Sequence, residues 1–216
     1  KINMVAISLL YKEGYFKQII DQEGKQREVY PKFVPEPILS EISNIFAINL
    51  NGKEIFIKAC VYNHQSINGF TVPIYFLDTD ISENDDETRG ITLRLYSGDN
   101  RHRILQESIL GYGGMKLLEI LNQTNIKKYH MNEGHCSFIV LDLLKKYKGD
   151  IKKVRSKCHF TTHTPVPAGH DQFEYKLVKE ILGNLISDDI SLPSMNHDKF
   201  HMTELGLQFS KTANGV

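Results

Sequence analysis

The sequence predicts an α/β fold that combines a parallel sheet with an antiparallel element. In the second half of the chain, short strand-like stretches alternate with helix-period segments, which is the pattern of a parallel sheet covered by helices. In the first half, Asn51-Gly52 and Asn68-Gly69 separate stretches rich in β-forming residues, and Asn-Gly is the strongest short hairpin signal. We therefore expect a Rossmann-like parallel sheet with an antiparallel hairpin element.

Strands and loops are predicted for the first half of the chain. Residues 4–11 form an apolar run typical of a buried segment, and residues 21–37, with prolines at 31, 35 and 37, are predicted to be a surface loop. Strand patterns at 45–50, 54–62 and 70–77 predict a three-stranded antiparallel meander. The acidic run at 78–89 is predicted to be a solvated loop, because it lacks the ligand spacing of a calcium loop.

Helices dominate the prediction for the second half. Apolar residues at helical spacing predict a helix over 101–121, which Gly111-Tyr-Gly-Gly114 bends or splits at a point of close packing. Further helices are predicted at 138–147, 173–182 and 199–211, and the first two of these end at a glycine. A strand is predicted at 154–160 and a loop at 185–198.

Composition excludes several classes of function. The 26 Lys and Arg residues balance the 26 Asp and Glu residues, so no net basic field attracts nucleic acid. No apolar stretch is long enough for a membrane span, and three widely spaced cysteines suit reduced thiols in the cytoplasm. Because the chain starts inside an apparent element, we expect it to be a fragment of a longer protein.

Two histidine-rich turns are the predicted active site. Residues 127–135 (KKYHMNEGH) and 158–171 (CHFTTHTPVPAGHD) each begin with a strand-like stretch and lead towards a helical segment. Both turns are therefore expected at the carboxyl ends of strands, where open α/β sheets bind ligands. Neutral donors and acceptors with one carboxylate suit the hydroxyls of a sugar, and the residues of this kind are Asn132, Glu133, His135, Thr162, His163 and Thr164.

Metal and serine-type chemistry are the alternatives at these turns. His130, Glu133 and His135 are close in sequence, but their spacing is not that of helix-borne zinc motifs, so we expect no metal. No Gly-x-Ser-x-Gly nucleophile elbow occurs, which argues against a serine triad. His159, between Cys158 and Phe160, is predicted to be a core residue.

Several motifs resemble those of one enzyme family. They are LLYKEGYFKQ at 9–18, FLDTD at 76–80, HRILQE at 102–107, LGYGG at 110–114, HMNEGH at 130–135 and FTTHTPVPAGHD at 160–171. In this order and spacing they resemble the α-glucan phosphorylases that act on glycogen, starch and maltodextrin, especially the shorter bacterial and archaeal type. The resemblance runs over most of the chain.

The resemblance implies a GT-B glycosyltransferase with two Rossmann-like domains facing a cleft. In such enzymes inorganic phosphate cleaves the terminal α-1,4 bond of a glucan and releases glucose 1-phosphate with retained configuration. Residues 1–216 would be part of the N-terminal domain. Pyridoxal 5'-phosphate would be bound by a lysine of the C-terminal domain within a Gly-Thr-x-x-Met-Lys motif, which this sequence lacks.

The resemblance also assigns roles to individual residues. His163 matches the histidine that contacts the transferred glucose, with its main-chain carbonyl facing the charge that develops at the anomeric carbon, and Thr164 matches its neighbour. Asn132, Glu133 and His135 match a substrate-binding segment that usually reads Asn-Asp-Thr-His, so here Glu replaces Asp and Gly134 replaces Thr. The glucose-contacting loop of the family matches Asp99 and Asn100.

Two other functions remain open from the sequence. One is a nucleotide-sugar-dependent glucan synthase on the same fold, whose Lys-x-Gly-Gly motif does not occur in this chain. The other is a non-catalytic glucan-binding protein that kept only this wall of the cleft. As an isolated fragment the chain is expected to have no phosphorolytic activity, whereas the complete enzyme would act on α-1,4-glucan and phosphate, as a monomer or a homo-oligomer, without nucleic acid or membrane.

Overall fold

The protein is a mixed α/β molecule with two compact units. A computed structural model describes residues 2–35, 38–186, 195–196 and 198–215. The first unit comprises Lys1–Ala47 and Ile55–Arg103, and the second comprises Ile48–Glu54 and Ile104–Val216. None of the helices in the described ranges is long and apolar enough to span a membrane.

Six strands fall within residues 6–78. In chain order they are β1 (Ala6–Leu9), β2 (Lys17–Ile20), β3 (Gln26–Val29), β4 (Ser40–Leu50), β5 (Lys53–Gln65) and β6 (Thr71–Asp78). Four of them form one sheet in the order β1-β6-β5-β4, in which β1 runs parallel to β6 and β5 runs antiparallel to it. The predicted meander is confirmed, and its first strand starts five residues earlier than expected.

The alternation of buried residues and the choice of turn residues explain why the four-stranded sheet forms. Ile55, Ile57 and Ala59 alternate along β5 and are fully buried, as a strand with one face on the core requires. Asn51 and Gly52 both adopt positive φ, at 49° and 90°, which suits a two-residue hairpin turn. The meander is therefore specified by local pattern and turn chemistry.

Two predictions for the first unit are wrong. The predicted loop at 21–37 contains β3, which pairs with β2 in an exposed antiparallel hairpin, and Pro37 lies outside the described residues. Asp78, predicted to be solvated, is only 2% exposed and lies 3.3 Å from the Lys12 ammonium. Lys12 also bonds to Asp80, and together with Arg89 it holds the pKa of the Asp80 carboxyl below its usual range.

The predicted long helix is split as expected. The short helix α1 (Asp86–Arg89) lies before it, in the acidic run that was predicted to be a loop. The predicted helix itself consists of α2 (Asn100–Ser108), a π-helical turn (Ile109–Gly113) and α3 (Gly114–Ile120). A methyl group on Gly111 would lie 2.9 Å from the Phe138 Cβ and 3.0 Å from the Ile139 nitrogen. The close-packing role predicted for the glycine-rich segment is thus confirmed at Gly111.

The rest of the second unit alternates strands and helices. In chain order the elements are β7 (Tyr129–Asn132), α4 (Ile139–Lys146), α5 (Ile151–Lys157), β8 (Cys158–Thr162), β9 (Gln172–Glu174), α6 (Tyr175–Leu182), β10 (Met195–Asn196), β11 (Lys199–His201), α7 (Met202–Gln208) and β12 (Thr212–Gly215). Strands β12, β8 and β7 form a parallel sheet in that order, and β10, β11 and β9 form an antiparallel one. Met131 and Phe160 lie opposite each other on the buried face of the parallel sheet.

Three boundaries in this unit differ from prediction. The predicted strand at 154–160 begins only at Cys158, because Asp150 accepts the Lys153 N–H and starts helix α5. The segment predicted as a helix at 199–211 contains strand β11, helix α7 and the connection that leads to strand β12. Strand β12 was not expected. The predicted helix at 173–182 begins only at Tyr175, after strand β9. Most of the predicted loop at 185–198 lies outside the described residues, and residues 195–196 form strand β10.

We predict that Gly111→Ala destabilises the protein by about 1–3 kcal/mol, the usual cost of overpacking a dense core. The added methyl would meet backbone atoms at the start of helix α4, which cannot move aside as a flexible side chain could. Chemical denaturation measures the change in the free energy of unfolding.

The matched control is Gly14→Ala, since its added methyl would have only an ordinary contact at 3.9 Å, with Pro31. Gly14→Ala is expected to leave the free energy of unfolding nearly unchanged. A loss in the control as large as in Gly111→Ala would contradict the packing explanation.

Candidate active site

The two histidine-rich turns lie side by side at the carboxyl edge of the parallel sheet. Strand β7 ends at Asn132 and its parallel neighbour β8 ends at Thr162, with Asn132 opposite Thr161. Glu133 follows the first strand directly and His163 follows the second. The predicted position of both turns at strand ends is therefore confirmed.

Glu133 joins the two turns through its carboxylate. The carboxylate accepts the backbone N–H of His163 and the hydroxyls of Thr162 and Thr164, at 3.3 Å and 3.4 Å for the closest oxygen of each pair. The Glu133 N–H donates to the Thr161 carbonyl at 2.9 Å. The half-buried side chain of Glu133 thus holds three consecutive residues, 162–164.

The backbone of Glu133 is held in an unusual conformation. Its φ is 72°, in the left-handed region that residues other than glycine seldom adopt. Such conformations cost about 1–3 kcal/mol and persist only where surrounding contacts enforce them. Here the enforcing contacts are those of the carboxylate and of the N–H, which indicates that the position of the carboxylate matters to the site.

The remaining predicted residues of the second unit lie next to Glu133 along the chain or in the neighbouring turn. Asn132 is exposed at the end of β7, and its carbonyl accepts the Cys136 thiol at 3.2 Å. His135 is half-buried in the 3-10 turn Gly134–Cys136, whereas His163 is exposed. The structure therefore brings Asn132, Glu133, His135, His163 and Thr164 into one cluster.

Asp99 and Asn100 lie in the first unit at the start of helix α2. The Asp99 carboxylate accepts the His102 N–H at 2.9 Å and so caps the helix, and both residues are exposed. Their predicted contact with substrate stays a prediction.

A hydrogen-bonded network that the sequence did not reveal crosses the same sheet. His130 lies 2.7 Å from the Thr161 hydroxyl, which donates to the Asn214 side-chain oxygen at 2.9 Å. The same oxygen lies 2.9 Å from Nε2 of His159, whose Nδ1 is 2.7 Å from the Thr212 hydroxyl. The signal that was missed is the strand β12, which supplies Asn214 and Thr212.

The network determines where protons sit on both imidazoles. The amide oxygen of Asn214 can only accept, so His159 must carry its proton on Nε2. Since the Thr161 hydroxyl gives its proton to Asn214, it accepts from Nε2 of His130. His159, predicted to be a core residue, is instead half-buried on the polar face of the sheet, with its ring 4.9 Å from that of His130.

Burial shifts the pKa of several groups near the cluster. It lowers the pKa of His130, and nearby His159 and His163 lower it further. It raises the pKa of the Cys136 thiol to about 12, which keeps the sulfur protonated and a poor nucleophile at neutral pH. The described residues contain no group of three or more His, Cys, Asp or Glu side chains that could hold a metal ion.

Comparisons with known proteins identify similar chains. The chain is 36% identical over its whole length to the maltodextrin phosphorylase of Thermococcus litoralis, of which it covers 27%. It is 31% identical to the glycogen phosphorylase of Mycobacterium tuberculosis, with 28% of that protein covered, and 28% identical to that of Aquifex aeolicus, with 33% covered. No protein-family model matches the chain.

These similarities confirm the family resemblance drawn from the motifs. The whole chain, or 99% of it, aligns in each case, and it spans between about a quarter and a third of the length of each phosphorylase. The chain is thus similar along its entire length to a part of maltodextrin and glycogen phosphorylases.

We predict that His130→Gln makes the stability of the protein less sensitive to acid. Because the folded protein lowers the pKa of His130, the unfolded chain takes up this proton first as pH falls below about 6.5. Stability from this group is therefore complete above that pH and is lost on acidification. Glutamine keeps a donor for Thr161 without titrating, so the melting temperature should fall less between pH 7.5 and pH 5.

The two proteins are expected to have similar melting temperatures at pH 8, where His130 is neutral in both the folded and the unfolded state. If the melting temperatures of both proteins fall equally between pH 7.5 and pH 5, the lowered pKa of His130 in the folded protein is contradicted.

Proposed function

We propose that this chain forms the glucan-binding wall of an α-glucan phosphorylase, within the Rossmann-like N-terminal domain of a GT-B enzyme. The complete enzyme would use inorganic phosphate to release glucose 1-phosphate from the end of an α-1,4-glucan with retention of configuration. The observation that carries the proposal is the Glu133 carboxylate, which holds residues 162–164 in place at the strand ends. The similarity to phosphorylases along the whole chain supports it.

The chemistry of the cluster suits a sugar. Asn132, His135 and Thr164 supply neutral donors and acceptors of the kind that bind several hydroxyls at once. Glu133 uses its carboxylate on backbone and hydroxyl donors of the protein, which fits a positioning role better than proton transfer. A retaining hydrolase needs two carboxyl groups, one as the acid and one as the nucleophile, and the cluster has only that of Glu133.

His163 is the proposed catalytic residue. Glu133 holds its N–H, and the hydroxyls of Thr162 and Thr164 on either side bind the same carboxylate. Its backbone is therefore fixed before substrate arrives, and a fixed carbonyl dipole stabilises positive charge that develops at the anomeric carbon. Fixed dipoles of this kind need no reorganisation during the reaction.

Pyridoxal 5'-phosphate would be bound outside this chain. A Schiff base needs a lysine, and none of the cluster residues from Asn132 to His135 or from Thr162 to Thr164 is one, so the cluster does not fit this cofactor. The chain's own part is to bind the glucan and orient the reacting sugar.

Glucan, phosphate and glucose 1-phosphate are the proposed partners, and a homo-oligomer is compatible with them. A cytoplasmic location is proposed from the three cysteines that are not in disulfides, Cys60, Cys136 and Cys158, which suit a reducing compartment.

We predict that the phosphorylase-length protein containing this chain releases glucose 1-phosphate from maltodextrin only when phosphate is present, and that it carries pyridoxal phosphate detectable by absorbance. The isolated 216-residue chain should release none. Glucose transfer from a nucleotide sugar would instead identify a synthase. Glucan binding without any turnover would identify a binding protein.

We predict that Glu133→Gln lowers kcat/KM of that protein about 10- to 100-fold. The amide loses the charge that strengthens hydrogen bonds to the His163 N–H, and such bonds are worth about 1.5–3 kcal/mol. Steady-state phosphorolysis measures the loss.

Glu119→Gln is the matched control, because the exposed Glu119 carboxylate forms a surface ion pair with Lys116. The control should keep normal activity. Normal activity in Glu133→Gln would contradict the role given to the carboxylate.

A further inference from the structure

We propose that His170 and Thr203 form a latch that fixes the loop of residues 164–170 against the Glu133 turn, which makes both of them positioning residues for the site. The inference rests on the proposed function for its catalytic consequence. Its structural part stands on a closed ring of contacts among residues of the second unit.

The first contact of the ring lies within the loop. After His163 the chain passes through the 3-10 turn Pro167–Gly169 and folds back on itself. A methyl on Gly169 would lie 2.1 Å from the Thr164 methyl carbon, so the glycine backbone packs directly on Thr164. The position of Thr164 therefore depends on where the end of the loop is held.

The second contact fastens the end of the loop to helix α7. Nδ1 of His170 lies 3.0 Å from the hydroxyl oxygen of Thr203, in the first turn of that helix. Immediately after the loop, the Asp171 carbonyl accepts the Met202 N–H at 3.0 Å. A side-chain bond and a backbone bond thus join the same two segments.

The third contact joins Thr203 to the Glu133 turn. A methyl on Gly134 would lie 2.9 Å from the Thr203 hydroxyl oxygen and 3.1 Å from its nitrogen. Gly134 is buried, and it follows the strained Glu133 directly. The Thr203 hydroxyl therefore bonds to the loop on one side and packs against this turn on the other.

Helix α7 is a firm support for both contacts. A methyl on Gly206 would lie 2.5 Å from the Phe160 ring and 2.7 Å from the Ser137 hydroxyl, so the helix lies directly on strand β8 and on the residue after the 3-10 turn. Leu205 and Met202 are fully buried beside it. Because helix α7 is held this closely, Thr203 fixes the loop of residues 164–170 relative to the turn that contains Glu133 and Gly134.

The ring closes at the site itself. Glu133 accepts the Thr164 hydroxyl at 3.4 Å, which returns the path to the residue where it began. In order, the ring runs through Glu133, Gly134, Thr203, His170, Gly169 and Thr164. Removing the Thr203 hydroxyl would break the ring at its contact with His170.

This arrangement also explains why glycine occupies position 134. A side chain at this position would overlap the atoms of Thr203.

The test compares Thr203→Val with Thr203→Ser in the phosphorylase-length protein. Valine keeps the shape and loses the hydroxyl, whereas serine keeps it. Hydrogen exchange of the amides in 163–170 should be about two- to twelvefold faster in Thr203→Val, the factor given by a hydrogen bond worth about 0.5–1.5 kcal/mol. Thr203→Ser should exchange as the unsubstituted protein does.

Thr71→Val is the matched control, since it removes a hydroxyl that bonds to Gln65 at 2.8 Å in the other unit. It should leave exchange in 163–170 unchanged. His170→Leu removes the other partner of the latch from a loop and should reproduce the exchange pattern of Thr203→Val, which keeps the test decisive if that variant folds poorly.

Kinetics then test the positioning role. In Thr203→Val the kcat for phosphorolysis should fall about two- to twelvefold while the KM for phosphate stays the same, and Thr203→Ser should restore kcat. Unchanged loop exchange in both Thr203→Val and His170→Leu would overturn the latch. Faster exchange with unchanged kcat would overturn the positioning role. If the unsubstituted protein shows no phosphorolysis, the proposed function fails, while the exchange result still decides whether the latch exists.

Discussion

The candidate site depends on one carboxylate that hydrogen-bonds to groups of the protein itself. Glu133 collects donors from three consecutive residues on the neighbouring turn, and its own N–H is bound to the strand next door. These bonds hold a non-glycine residue at positive φ, which the chain would otherwise avoid. Parallel pairing of β7 and β8 makes this possible, because it places the two turns at the same edge of the sheet.

Local sequence signals were enough to predict the elements that local chemistry determines. The Asn51-Gly52 turn, the alternation along β5 and the interruption at Gly111 all follow from residues within a few positions of one another. The position of the site was predictable for the same reason, since a strand followed by a polar turn and a helix is a local pattern. The family resemblance added the roles of single residues, which local chemistry alone does not assign.

Several of the features that were missed need a partner far along the chain. Asp78 is buried because Lys12 reaches it, and strand β12 forms because β8 offers it an edge. The network through Asn214 joins residues more than fifty positions apart. Helix α5 is a different case, because the Asp150 cap that starts it is a local signal that the predicted strand at 154–160 did not take into account.

The π-helical turn between α2 and α3 changes the phase of the chain. A π turn accommodates one more residue than an α turn, so it resembles a single-residue insertion absorbed within a helix. Each residue of an α-helix advances the chain by about 100° around its axis. The buried face of α3, which carries Leu117 and Leu118, is therefore rotated by about that angle from where an uninterrupted helix would place it. A deletion of one residue here would regularise the backbone and misdirect the side chains beyond it.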